Sequence, residues 1–262
     1  MTNNLTYLTN LIKESQAREL DATICLSGFV GEGKSTLALQ IVKSYYNITT
    51  LKQFKDFCEN WVFYERKALK DKIMNNRMKC LVADEAVNML FKRDFMKGNQ
   101  KDLLKIMDVC RDHNHLFIFN IPSFWALDGH TVQTRTRLWI YVEKQKYAHI
   151  FAPIRNMFAR DVWFRDYNMK LFMKHKRFTK SPNYITSISF DPLSAAEYRV
   201  YKKIKDEKKF VLEEEKDALD DATKKDIILW IHNHNPNATY KDIASVLKTH
   251  YNYVQQVLVP IK

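Results

Sequence analysis

Residues 22–36 read ATICLSGFVGEGKST. The opening stretch ATICLSG, residues 22–28, is a short apolar run that stops at a glycine, the pattern of a buried strand. Residues 34–46, KSTLALQIVKSYY, space their apolar side chains for a helix. Between the two lie Gly28, Gly31 and Gly33, residues that allow backbone conformations other residues resist. Strand, glycine loop and helix follow one another in the order that fits G-x-x-x-x-G-K-[ST] from Gly28 to Ser35.

Working outward, residues 4–19 predict an amphipathic helix with Leu5, Leu8, Leu11 and Ile12 on one face. Downstream, residues 50–59 are helix-like, WVFY at 61–64 is a short strand, and 65–76 is a charged helix. KCLVA at 79–83 is a second buried strand, residues 100–112 a helix, and HLFIFNIP at 115–122 a third strand stopped by Pro122. LWIYV at 138–142 and AHIFAPI at 148–154 flank KQKY as a hairpin. Strands alternating with helices over 22–122 predict an α/β fold whose mainly parallel sheet is covered on both faces, with the hairpin at an edge. The expected organisation is a main domain at 1–190, a linking helix at 191–219 and a small all-α unit at 220–262.

The glycine loop carries a specific chemistry. Its backbone N–H groups can turn inward onto phosphate oxygens, and a helix beginning near Lys34 adds a positive end. Gly28, Gly31, Glu32, Gly33, Lys34, Ser35 and Thr36 are therefore the candidate ATP-binding residues. Lys34 would reach the β- and γ-phosphates, Ser35 would offer its hydroxyl to Mg²⁺, and Thr36 would lie near the α-phosphate. Such a site needs an acid at the tip of a neighbouring strand. CLVADE, residues 80–85, supplies Asp84 for Mg²⁺ and Glu85 as the general base acting on water. Glu85 could equally serve as an acid at the start of a helix over 85–91. Asn120 ends the third strand and is expected beside the γ-phosphate as a sensor, with a backbone-satisfied core Asn as the plainer reading. Arg93, Arg111, Arg135 and Arg137 are candidates for an arginine donated to a neighbouring subunit, and each also reads as a surface or structural arginine.

Composition points to the partner. The chain has 262 residues with 42 Lys and Arg against 30 Asp and Glu, a formal charge of +12 that predicts a polyanion such as DNA. Residues 144–180 hold ten Lys or Arg and two Asp, interleaved with eight aromatics. Lys174, Lys176 and Arg177 are candidate phosphate contacts, while the aromatics either stack on bases or pack beneath the hairpin. Residues 224–259 form three helix-like segments, with Thr239-x-x-Asp242 as a capping box after the turn NPNAT. They resemble a helix-turn-helix module whose last helix presents Tyr251, Asn252, Tyr253, Gln255 and Gln256, or else a small protein-docking bundle. Cys25, Cys58, Cys80 and Cys110 form no CxxC pair, which argues against zinc and fits a reducing, cytoplasmic setting. No run of 18 apolar residues is present, so no membrane span is expected, and the first ten residues lack a signal-peptide pattern.

From Gly28 to about Pro153 the chain resembles the HerA/FtsK-like division of P-loop ATPases, with zonula-occludens-toxin-like phage ATPases as relatives. The resemblance rests on FVGEGKST, on LVADEA, and on RDFMKGNQKDLLKIMDVCRDHNHLFIFNIPSFWALDGH followed by RTRLWIYVEKQKY. It implies a RecA-like core, a homo-oligomeric and often hexameric ring, and ATP-driven work on DNA in a virus or mobile element. One position departs from it: the family usually carries Gln where Asn120 stands. Two functions follow as expectations, an ATP-hydrolysing DNA motor or an ATP-dependent switch that assembles on DNA or a protein without translocating. A membrane-bound phage assembly ATPase lacks its span, and a small-molecule kinase leaves Glu85 and the basic surface unexplained.

Overall fold

The computed structural model describes residues 4–17, 21–86, 98–154, 160–235, 238–247 and 249–259. The first half runs α1 (Asn4–Ala17), β1 (Ala22–Ser27), α2 (Lys34–Tyr46), α3 (Leu51–Trp61), β2 (Val62–Phe63), α4 (Arg66–Asn75), β3 (Cys80–Ala83), α5 (Gly98–Val109) and β4 (Leu116–Asn120). There follow β5 (Thr136–Lys144), β6 (Tyr147–Phe151), α6 (Arg165–His175), β7 (Tyr184–Ser189), α7 (Ala195–His234), α8 (Tyr240–Val246) and α9 (Tyr251–Leu258).

Among the described residues seven strands form one sheet in the order β2-β3-β4-β1-β5-β6-β7. The first five are mutually parallel, and β5-β6-β7 continue antiparallel as the edge hairpin plus one further strand. The sequence pattern predicted the hairpin and not β7, an edge strand in which Ile188 alone is buried and the other residues are half-buried or exposed. Strand β4 lies between β1 and β3, so the carboxyl ends of three parallel strands stand side by side. Loops at those ends converge, which makes this the natural place for a site.

Strands β1, β3 and β4 are buried along their whole length because both sheet faces are covered there. On one face Cys25, Leu81, Phe117 and Phe119 pack with Leu69 and Ile73 of α4 and Leu103 and Met107 of α5. Helices α1 and α2 lie against each other and against β1, with Leu37, Ala38, Ile41 and Val42 of α2 fully buried. Helix α3 starts at Thr50, whose side chain and that of Gln53 form a reciprocal capping box.

The aromatic-rich stretch after the hairpin sorts into two populations. Trp163 is 1% exposed and meets Phe124 edge-on at 5.0 Å, while its indole N–H donates to Val132 O at 2.7 Å. Phe151 stacks on Trp139 at 4.8 Å, and Phe178 packs on Tyr141, His149 and Phe151. Trp163, Phe124 and Phe151 are core, and Trp139, Tyr141 and Phe178 are partly buried against it. Tyr167, Met169, Phe172 and Met173 of α6 are exposed, beside exposed Lys170, Lys174, Lys176 and Arg177.

The chain divides into two compact units, Met1–Ile204 and Lys205–Lys262. The boundary falls within α7, because Tyr201 and Ile204 are buried in the first unit. Helix α7 also runs through both the expected linking segment and the first helix of the C-terminal unit without a break. In the second unit Ile228, Ile243, Ala244 and Val254 form a small core. Thr239 caps α8 in a box with Asp242, whose carboxyl is held below its ordinary value by those two hydrogen bonds. On α9, Tyr251, Asn252, Gln255 and Gln256 are exposed, whereas Tyr253 is half-buried against the core. Among the described residues no helix is long and apolar enough to cross a membrane.

Candidate functional site

The loop 28–33 joins the carboxyl end of β1 to the amino end of α2. Ile121 N donates to Leu26 O at 2.9 Å and the Trp139 indole donates to Ser27 Oγ at 2.7 Å, so the root of the loop is tied to its neighbours on both sides. Gly28, Gly31 and Gly33 all have positive φ, at 147°, 88° and 94°. At Gly28 the need is also steric, since an added Cβ would strike the Val142 carbonyl oxygen. A Gly28→Ala variant is therefore expected to lose about 1–3 kcal/mol of stability and to misplace the loop, read as a lowered denaturation midpoint. Wild-type stability in that variant would show that β5 yields instead. Gly33 is the left-handed cap from which α2 departs. Lys34 Nζ donates to the Gly28 and Phe29 carbonyls at 2.8 and 2.7 Å, folding its ammonium back over the loop. Phe29 and Val30 at the loop tip are 74% and 90% exposed.

Asp84 stands at the end of β3 and is 2% exposed. Its Oδ1 accepts from Ser35 Oγ and from Asn120 Nδ2, each at 2.8 Å. Its Oδ2 accepts from the Tyr201 hydroxyl of α7. A carboxylate only accepts, so three converging donors are the complement an ionised Asp84 needs in a buried place. Burial, and then the charge of Asp84, push the Tyr201 phenol far above its ordinary range, which keeps it a donor. The Ser35 and Tyr64 hydroxyls oppose that rise in part. Asn120 is 3% exposed and its Oδ1 is buried with no hydrogen-bond partner among the described residues. That orphaned acceptor costs free energy unless water or another donor meets it.

Glu85 follows in the turn 84–86 with φ 65°, a left-handed conformation that is uncommon for a glutamate. Backbone bonds on both flanks hold the turn: Asp84 N to Phe63 O and Ala86 N to Asn120 O, both 2.9 Å. The strain is thus imposed by β2 and β4, and strain of this kind concentrates at functional sites. The helix expected over 85–91 lies mostly outside the described residues.

The structure thus brings together Gly28 to Thr36, Asp84, Glu85 and Asn120. It places the described candidate arginines elsewhere. Arg93 lies outside the described residues. Arg111, Arg135 and Arg137 line a cavity of about 400 Å³ with Asp21, Asp108 and His130. Asp21 precedes β1 and Gly28 follows it, so this cavity is at the other end of a six-residue strand, roughly 20 Å from the loop. Arg135 is 8% exposed, lies 3.0 Å from Asp21 and 3.3 Å from Asp108, and donates to Met107 O at 2.5 Å. Its partners and burial are those of a structural arginine. Arg111 is mostly exposed and only 3.9 Å from Asp21.

The donor set suits a hard divalent cation. A carboxylate and a hydroxyl meet at 2.8 Å, and Mg²⁺ takes such oxygens together with phosphate oxygens and waters rather than a cage of many side chains. The missed participant is Tyr201, 117 residues from Asp84 in a helix that reads as polar surface. The one local sign is its spacing four residues after Glu197, which places both on one helix stripe. No protein-family model matches the chain, and no curated protein matches it either.

Proposed function

We propose that the chain is a Mg²⁺-dependent ATPase that works on DNA as an oligomer, in the manner of the P-loop motors it resembles. The observation that carries the reading is Ser35 Oγ on Asp84 Oδ1 at 2.8 Å, with Asn120 on the same oxygen from the strand between. A glycine loop, a helix amino end, a buried Asp and a following Glu meet where three parallel strands end. In this reading the loop N–H groups and Lys34 hold the triphosphate, and Ser35 and Asp84 hold the metal, which offsets charge on the transferring phosphoryl group. Glu85 draws the proton from the attacking water, and Asn120 Oδ1 accepts from that water or one beside it. DNA as the partner is supported by the exposed Lys170, Lys174, Lys176 and Arg177 of the α6 region and by the +12 charge. The exposed Tyr251, Asn252 and Gln255 support a helix-turn-helix role for the second unit.

Steady-state ATP hydrolysis with and without DNA tests this. Turnover is expected to rise about tenfold or more with DNA, as in motors whose chemistry is completed by their track. Slow turnover that ignores DNA would discard the motor and leave a nucleotide-dependent switch. The absence of any ATP binding would discard both.

A further inference from the structure

The segment after β7 lies across the site. Gln40 of α2 donates to the carbonyls of Asp191 and Pro192 at 3.0 and 3.1 Å. Phe190 sits against Gly33, its ring 3.7 Å from where a Cβ there would be. Ser194 and Glu197 cap the start of α7 reciprocally, Glu197 N to Ser194 Oγ at 3.3 Å and Ser194 N to Glu197 Oε2 at 2.8 Å. Glu197 also pairs with Lys43 of α2 at 2.5 Å. Glu197, Tyr201 and Ile204 follow at four and then three residues, so one stripe of α7 faces inward, with Tyr201 7% and Ile204 5% exposed. Tyr198, off that stripe, is 52% exposed. In the middle of the stripe the Tyr201 phenol sits on Asp84 Oδ2, an acceptor that a metal-bound water can also use.

We propose that Tyr201 is a latch displaced by the metal–nucleotide complex: its hydroxyl stands in for a metal-bound water on Asp84, and loading the site frees the start of α7. The inference rests on the ATP-site reading above. In the latch a metal-bound water takes the Asp84 Oδ2 acceptor site that the phenol holds, so closed latch and loaded site compete. A protein whose competent state is only fractionally populated binds with affinity reduced by that fraction.

The test uses the full chain, a slowly hydrolysed fluorescent ATP analogue, and hydrogen exchange of peptides covering 190–204. Tyr201→Phe removes the hydroxyl and little else. It is expected to tighten binding in Mg²⁺ by about tenfold, the scale of a lost hydrogen bond to a charged group. Binding in EDTA should stay within about twofold, because without metal nothing competes for Asp84. In the wild type the analogue with Mg²⁺ should speed exchange in 195–204, and in Tyr201→Phe that exchange should be fast beforehand. Glu197→Gln, which loosens the strap but leaves the phenol, should move both readouts in the same direction by less. Unchanged or weaker Mg²⁺-dependent binding in the variants, or exchange that slows on loading, overturns the latch and makes Tyr201 a fixed part of the site. Failure of the wild type to bind the analogue at all overturns the ATP-site reading and the latch with it.

Discussion

On the proposed ATPase reading, replacing Glu85 by Gln is expected to lower ATP turnover by about 10²–10⁴-fold, the usual worth of a positioned general base, with nucleotide affinity kept within a few fold. The substitution keeps the shape of the side chain and removes only its ability to take a proton. The turn that carries it is held by backbone hydrogen bonds to Phe63 O and Asn120 O, which do not involve the side chain, so the variant should fold as the wild type does. The split between turnover and binding is the informative part. Loss of binding alongside turnover would mean that Glu85 shapes the loop or the metal. Unchanged turnover would move the base elsewhere and return Glu85 to its other role, an acid at a helix start. The comparison is made by steady-state hydrolysis beside equilibrium titration of the same preparations.

Arg135→Met is expected to cost about 3–5 kcal/mol of stability, the usual result of removing one partner of a buried ion pair. Asp21 is 6% exposed, and among the described residues its nearest cation apart from Arg135 is Arg111 at 3.9 Å. The Met107 carbonyl loses its donor at the same time. The Asp21 contact at 3.0 Å is an ion pair without good hydrogen-bond alignment, which places the weight on charge and on the Met107 bond. For a unit of this size the midpoint of thermal unfolding should fall by roughly 10 °C. Arg111→Met, at a mostly exposed position, should shift it by under about 1 kcal/mol. A wild-type melting curve for Arg135→Met combined with lost turnover would reverse the assignment and make this side chain a donor to a neighbouring subunit.

The two substitutions probe opposite ends of β1, and they differ in how visible their targets were beforehand. Glu85 belongs to a local pattern: an apolar strand, an Asp, a Glu. Arg135 and Arg137 alternate just before LWIYV at 138–142 and are equivalent in the sequence. Arg135 turns into the protein at the end of a π-turn over Thr131–Arg135, while Arg137 stays half-buried on the strand. Nothing in a window of a few residues separates them, because their difference lies in Asp21 and Asp108, which approach from other elements. The aromatics of 144–180 divide for the same reason. Trp163 and Phe151 meet rings from distant strands, whereas Tyr167 and Phe172 ride on a helix with no buried residue.

The sequence by itself determined what depends on near neighbours in the chain. The β1 strand, the glycine loop, the start of α2 at Lys34, the hairpin and the Thr239–Asp242 cap follow from apolar period, backbone freedom and short-range hydrogen bonds. The tertiary structure alone decided what depends on strand order and on contacts across more than a hundred residues. Insertion of β4 between β1 and β3 puts Asn120 on Asp84. The return of α7 puts Tyr201 on the same carboxylate and moves the unit boundary to Ile204. Local periodicity states which face of an element is apolar. It carries no information on which other element will cover that face, because that choice is set by the packing of the whole core.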